Sequence, residues 1–369
     1  MNRLLSRANK TVLSQWWWTI DKQMLIALLA LVVIGVMMVS AASPAVALRI
    51  GLGQYHFIIR HVVMLVPAIG FMIGLSFLPK IMIRRIGIIL FGLAIFGVIL
   101  SLTGGSEIKG AQRWIRLLGF SVQPSEFLKP AFIIVAAWLM GHQKHTENFP
   151  GNLISGGLFG LSILLLILQP DMGMTILLSA IWASQIFLAG FPFLFIILAM
   201  IMGVCGLFSA YFFLPHFQSR VNRFLNPDSG DTYQIDRATE AFGHGGLFGV
   251  GPGEGSVKET IPDAHADFVF AVAGEEMGFV FLFIIILLYG FIIYRGILAL
   301  QRSNDIFVVL AIGGLITMFG LQAFIHMGAN IHILPTKGMT LPFVSYGGSS
   351  VIALGIAMGM LLGLSRKQN

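Results

Sequence analysis

Charged side chains are scarce in this sequence: Asp, Glu, Lys and Arg together make up 11% of its 369 residues, against 57% apolar types. A soluble domain carries about 25% charged residues. So few charges do not coat a water-facing globule, which leaves lipid as the cover for much of the surface. Cysteine is nearly absent as well. The single Cys205 lies in an apolar run, so the chain forms no internal disulfide and no cysteine metal site. Long basic runs are also missing. The net charge of +7 is spread over helix ends and loops, which argues against nucleic acid as a partner. The same scatter suits membrane lipids with anionic head groups, or a phosphorylated ligand.

What is abundant is apolar sequence in long stretches. A spanning helix needs about 20 mainly apolar residues, because its backbone must satisfy its own hydrogen bonds in lipid. Ten segments qualify, at 24–42, 56–78, 83–103, 126–142, 153–169, 172–190, 192–213, 268–294, 306–329 and 346–365. They predict an all-α integral membrane protein with about ten transmembrane helices. A large extracytoplasmic loop, about 215–267, falls between helices 7 and 8. The first stretch, Met24 to Ala42, is longer than the ~7–15-residue core of a signal peptide, so it reads as an uncleaved span. Arg3, Arg7, Lys10 and Lys22 precede it and place the N-terminus in the cytoplasm. Ten crossings then put both termini there. The organisation is a cytoplasmic segment 1–23, a polytopic domain 24–365 and a cytoplasmic tail 366–369. Lys80, Arg84, Arg85, Lys144, Arg295, Arg302, Arg366 and Lys367 share the inner side. Trp16-Trp17-Trp18 reads as an interfacial aromatic anchor. Many basic residues nonetheless fall on the outer side, Lys109, Arg113, Lys129, Lys258 and Lys337 among them, and call for a role other than orientation.

Polar chemistry gathers in five places. The first is Lys109-Gly110-Ala111-Gln112-Arg113-Trp114 with Gln123-Pro124-Ser125-Glu126-Phe127-Leu128-Lys129-Pro130. Glu126 and Lys129 are three apart and share a helix face. They are either a local ion pair at a helix start or a charged wall of a ligand cavity. The second is Gln169-Pro170-Asp171-Met172-Gly173, where Asp171 sits at a hairpin tip and reads first as a helix cap. The third is the glycine-dense stretch Gly243 to Gly255. It lacks the strand that a dinucleotide fingerprint follows, and is a hinge, a cradle or a flexible loop. The fourth is Asp263-Ala264-His265-Ala266-Asp267-Phe268, leading into a span that holds Glu275 and Glu276. Asp267 is either a helix cap or a general base at the mouth of an outward cavity. Glu275 lies about 12 Å further along a helix and needs a partner. The fifth is Leu334 to Ser350, with two prolines, three glycines and five Ser or Thr residues, the pattern of a structured, re-entrant loop. His326 and His332 flank it without the spacing of a helical metal pair.

In order along residues 24–365, KGAQRW, QPSEFLKP, QPDMG, DAHADFVFAVAGEE and LPTKGMTLPFVSYGGSS resemble the motifs of the shape, elongation, division and sporulation (SEDS) family. Lys337-Gly338 followed by Thr340-Leu341-Pro342-Phe343 resembles its division member more than its rod-shape member. The resemblance implies a ten-helix fold and an inverting peptidoglycan glycosyltransferase. Its substrate would be lipid II, a disaccharide-pentapeptide on undecaprenyl diphosphate. Implied partners are a class B penicillin-binding protein transpeptidase and other division proteins, and the implied location is the bacterial cytoplasmic membrane at the septum. It also implies residue roles. Asp267 would be catalytic, and Lys109, Arg113, Glu126, Lys129, Asp171, Lys337, Ser345 and Ser349 would bind substrate. Glu275 and Glu276 would be structural or functional acids. A divalent ion, Mg or Mn, would assist departure of the diphosphate; its ligands are not identified, and no organic cofactor is expected. Rival readings are a lipid II flippase, a non-catalytic division scaffold, and a role in elongation instead of division. A flippase needs polar residues through the full membrane depth, whereas here they cluster toward the outer end.

Overall fold

The computed structural model describes residues 11–108, 111–117, 119–146, 148–213, 218–219, 221–222, 233–335 and 338–367. Helices dominate: α1 (Val12–Thr19), α2 (Lys22–Arg49), α3 (His56–Ser76), α4 (Lys80–Gly104), α5 (Pro124–Gln143), α6 (Gly151–Leu168), α7 (Met172–Leu188), α8 (Phe193–Phe213), α9 (Tyr233–Gly245), α10 (Val269–Gln301), α11 (Ile306–Asn330) and α12 (Gly348–Leu364). All ten predicted apolar segments coincide with helices. By length and composition, however, six of the described helices suffice to cross a membrane: α2, α3, α4, α6, α10 and α11. The expectation of ten is corrected to that extent. Both α7 and α12 have 17 residues, about 25 Å of helix against a core of about 30 Å. The start of α5 carries Glu126 and Lys129. What stands is a multi-pass, helical membrane fold.

Two departures from the sequence reading concern the outer segments. Residues 106–122 fold into a small antiparallel sheet of β1 (Ser106–Ile108), β2 (Ala111–Leu117) and β3 (Phe120–Val122), in that order. The region read as loop holds α9, a 13-residue amphipathic helix, and a short 3-10 turn at Val257–Glu259. The glycine-dense stretch between them is built against α10. Val250 and Gly251 N–H donate to the carbonyls of Glu275 and Glu276, and Phe279 and Val280 N–H donate back to Gly246 and Leu247. Backbone pairing inside a helix requires the helix to open, and it does so at Gly278 with φ 76°, a region glycine enters without steric cost.

At the end of the bundle where α2 begins, the described residues nearest the two ends of the sequence pack together. Asp21 caps α2 and pairs with Arg295 near the end of α10 at 2.6 Å. Arg366 Nε donates to Thr19 Oγ1 at 2.9 Å and Lys367 N–H to the Thr19 carbonyl at 3.1 Å, so the chain's two ends meet. Trp16 is buried here, stacked on Phe77 at 4.5 Å with its indole N–H on Ser76. The aromatic triplet is therefore partly a packing element, and Trp18 keeps the exposed position. Helix α12 lies on α3 through Gly355, Gly359 and Gly363. Side chains there would overlap the backbone of Ala68 and Met72 and the Leu75 region, the close approach that small residues permit between membrane helices.

Candidate active site

Loop 331–347, between α11 and α12, organises the site. Gly338 lies over Asp267. A Cβ there would sit 3.6 Å from Asp267 Oδ2, and the φ of +60° favours glycine. The loop then descends. His326 Nδ1 donates to the Met339 carbonyl at 2.6 Å, and Gln322 Nε2 donates to the Thr340 carbonyl at 3.1 Å. Tyr289 OH donates to the Pro342 carbonyl at 2.6 Å. Phe343 is 1% exposed and its carbonyl abuts Gly35, near the middle of α2. The chain climbs back, and Tyr346 N–H reaches the His265 carbonyl at 2.9 Å. The loop is thus re-entrant in shape. The carbonyls of Met339, Thr340 and Pro342 are met by protein side chains, the condition for irregular backbone at depth.

Its partners on α11 form a stripe. Gln322, His326 and Asn330 are spaced by four, all buried, on an otherwise apolar helix; that spacing puts them on one face. Asn330 Nδ2 donates to the Asp267 carbonyl at 2.9 Å, and its Oδ1 accepts from Ala271 N–H at 3.2 Å. It ties the Asp267 backbone to the first turn of α10. Asp267 N–H itself bonds the Asp263 carbonyl at 3.0 Å. Beside it, His265 stacks between Phe57 (4.2 Å) and Tyr346 (5.0 Å). Burial pushes the His265 pKa down to about 4, against the opposing pull of Asp263. Burial also raises the Tyr346 phenol, while nearby Arg60 draws it back.

The other predicted residues fall into distinct groups. Lys129 Nζ is 2.8 Å from Glu126 Oε2, at an angle that makes a close ion pair without a hydrogen bond, and it donates to Gln322 Oε1 at 3.1 Å. Both are buried. The eight residues from Gln322 to Asn330 amount to about 12 Å of helix, so this pair lies well below the level of Asp267. Arg113 holds the α6–α7 turn. Its Nε donates to the Gln169 carbonyl at 2.9 Å, its Nη2 to the Pro170 carbonyl at 2.5 Å, and its Nη1 stands 3.5 Å from Asp171. Asp171 does cap α7, accepting from Met174 N–H at 3.2 Å. Gln123 links this group to the loop, with its side chain on Asp171 (3.3 Å) and its N–H on Ser349 Oγ (3.2 Å). Ser345 Oγ accepts from Leu341 N–H at 2.8 Å and closes the loop's turn. Lys109 and Lys337 lie outside the described residues.

Glu275 and Glu276 sit apart from Asp267's carboxylate and brace the outer segment. The fully buried Glu275 accepts from Val257 N–H (2.8 Å), Lys258 N–H (2.7 Å) and His244 Nδ1 (2.9 Å). Glu276 pairs with buried Lys258. Sequence reasoning does not single out Asn330 or Gln322, and it names Lys258 and His265 without their partners. The i, i+4, i+8 polar stripe on apolar α11 is the signal that exposes Gln322 and Asn330. Among the described residues no cluster of three acid, His or Cys side chains converges as a metal site.

Comparison with known proteins gives a consistent picture. The family model described as Cell cycle protein (FtsW, RodA, SpoVE) matches residues 22–369. A protein of Caulobacter vibrioides named "Probable peptidoglycan glycosyltransferase FtsW" is 41% identical over 98% of this chain and 93% of its own length. One of the same name from Allochromatium vinosum is 37% identical over 94% of this chain and 89% of its own. In fold, the chain is similar to a component of a peptidoglycan synthase complex that coordinates polymerization and crosslinking, with TM-score 0.79, 24% identity and coverage of 94% and 97%. It is similar also to Thermus thermophilus RodA, with TM-score 0.71, 24% identity and coverage of 96% and 99%.

Proposed function

The chain belongs to the FtsW, RodA and SpoVE family of cell cycle proteins, and from that premise we propose how its site works. It is a peptidoglycan glycosyltransferase of septal wall synthesis and a multi-pass protein of the bacterial inner membrane. The substrate we assign is lipid II. Asp267 takes the proton of the acceptor glucosamine C4 hydroxyl. The oxygen bonds to the anomeric carbon of the donor chain as the bond to the lipid diphosphate breaks, with inversion. The diphosphate leaves carrying that electron pair. Fixed cations at a developing anion stabilise it strongly in a water-poor site; Lys109, Arg113 and Lys337 are the proposed set.

The observation that carries this reading is the half-buried Asp267 carboxylate beneath Gly338, its backbone fixed by Asn330. Any side chain longer than a methyl group at 338 would lie over the acid. Deeper polar groups are spent on one another, as Glu126–Lys129–Gln322 shows, which supports chemistry at the outer end over a flipping path. Among the described residues no set of ligands for the expected Mg or Mn ion converges here, and Asp267 is assigned as the base, so no step is routed through a metal. The meeting of Thr19 with Arg366 and Lys367 supports an even number of crossings, with α5, α7, α8 and α12 completing ten, both termini cytoplasmic and Asp267 outside. The working partner we propose is a class B penicillin-binding protein transpeptidase at the septum.

Polymerisation of labelled lipid II by the purified protein, with and without that partner, tests the assignment. Polymer from wild type and none from Asp267→Ala or Asp267→Asn, both folded, is the expected result. Full rate from a folded Asp267→Asn protein refutes the role of this acid.

A further inference from the structure

A cavity of about 940 Å³ opens at the other end of the molecule. It lies where α4 and α11 begin and α5, α10 and α12 end. From there α11 runs 25 residues to Asn330 and the Asp267 backbone, about 37 Å at 1.5 Å per residue. The cavity therefore shares nothing with the glycosyl-transfer site. Among the described residues five cations line it, Lys80, Arg84, Arg302, Arg366 and Lys367, and the only carboxylate in the lining is Asp305. That carboxylate is already paired with Lys80 at 2.5 Å. Arg366 is committed to Thr19 and the Phe77 carbonyl. Arg84, Arg302 and Lys367 have no acidic counterpart in the lining. Such a residual field, drawn from the ends of three separate helices, is matched by a phosphate-bearing ligand.

Two observations favour a lipid over a free phosphate ion. Arg84 sits over the Trp138 ring at 5.6 Å, and an indole beside a cation at a helix end belongs to the membrane–water boundary. Ile81, in the lining, and neighbouring Met82 are 50% and 45% exposed. They give acyl chains an apolar path leading away from the charged pocket. We propose that this cavity binds the phosphodiester head group of an anionic phospholipid of the inner leaflet, with Arg84 and Arg302 as its principal contacts. Basic pockets between membrane helices on the cytoplasmic side hold anionic head groups in this manner.

The test uses the full chain in nanodiscs of equimolar phosphatidylglycerol and phosphatidylethanolamine, extracted and read by native mass spectrometry. Phosphatidylglycerol retained in clear excess is expected. The double variant Arg84→Gln/Arg302→Gln should lose that excess by about thirtyfold, taking about fivefold for each basic residue near an anionic surface. Arg84→Lys/Arg302→Lys, which keeps both charges, should retain most of it and controls for folding. Equal retention of the two lipids, or an excess unchanged in the Gln variant, overturns the proposal. So does phosphatidylglycerol displaced fully by millimolar inorganic phosphate, which would make the site one for a free anion.

Discussion

Glu275→Gln isolates one carboxylate whose three partners are all known. In the native protein Oε1 accepts from Val257 N–H and His244, and Oε2 from Lys258 N–H. An amide keeps one accepting oxygen and turns the other position into a donor, so one backbone N–H faces an NH2 group in a site with no solvent access. Hydrogen bonds to a charged acceptor contribute about 1.5–3 kcal/mol each, and a buried donor left unmet costs about 1–3 kcal/mol. Weakening one bond and orphaning another gives about 3 kcal/mol, roughly 150-fold in the local opening equilibrium at 1.36 kcal/mol per decade. Hydrogen exchange resolved to single amides should show that loss of protection at Val257 and Lys258, while the amides of α12 keep theirs. Native protection at both amides in the Gln variant would refute the idea that Glu275 organises the 246–259 segment.

Lys129→Met leaves Glu126 buried without its ion. It should destabilise the protein by about 3–5 kcal/mol, and adding Glu126→Gln should recover a large part, since removing both charges also removes the desolvation cost. Thermal unfolding of the detergent-solubilised pair checks this, and a double variant no better than the single counts against a structural ion pair. His265 has its folded pKa depressed to about 4 by burial, so its stabilising contribution is whole above the unfolded value near 6.5 and falls as the pH drops toward 4. The loss should reach about 2 kcal/mol at pH 5. The His265→Phe variant, which keeps the ring contacts with Phe57 and Tyr346, should show a shallower fall of Tm between pH 7 and 5; parallel curves would exclude His265 as the source. Gly355→Ala drives a methyl group into the Ala68 carbonyl and should cost about 1–3 kcal/mol, read as a lowered Tm; an unchanged Tm would mean that α3 and α12 are not packed so closely.

The helical frame is legible in the sequence because lipid imposes it, and each of the ten apolar segments becomes a helix. Asp171 is legible as a cap, and the LPTKGMTLPFVSYGGSS segment as a re-entrant loop, because proline and glycine density reports backbone irregularity directly. The glycine-dense stretch hides its structure. Its order comes from pairing with carbonyls that α10 exposes at Gly278, and no local pattern records a contact of that kind. The same holds for Lys258 and Glu276, brought together across 18 positions. Strands of three and seven residues in 106–122 are too short for an alternating pattern to stand out. The stripe Gln322–His326–Asn330 was accessible in principle, but its meaning depends on where the loop lies. Arg113 shows the reverse case: a basic residue on the outer side whose described hydrogen bonds go to the protein's own turn.

The closing of the α11–α12 loop onto α2 and Asp267 also sets the order of biosynthesis. Helix α3 is made early, yet the helix whose Gly355 and Gly359 fit against it is made only after α4 to α11. Gly35 waits equally long for Phe343, and Thr19 for Lys367. During translation the early helices must therefore hold an open seam that only lipid or a chaperone can fill. A chain truncated before α12 exposes that seam to membrane proteases, and Asp267 acquires its cover only when the final helix slots in, so a partly made chain carries no assembled site.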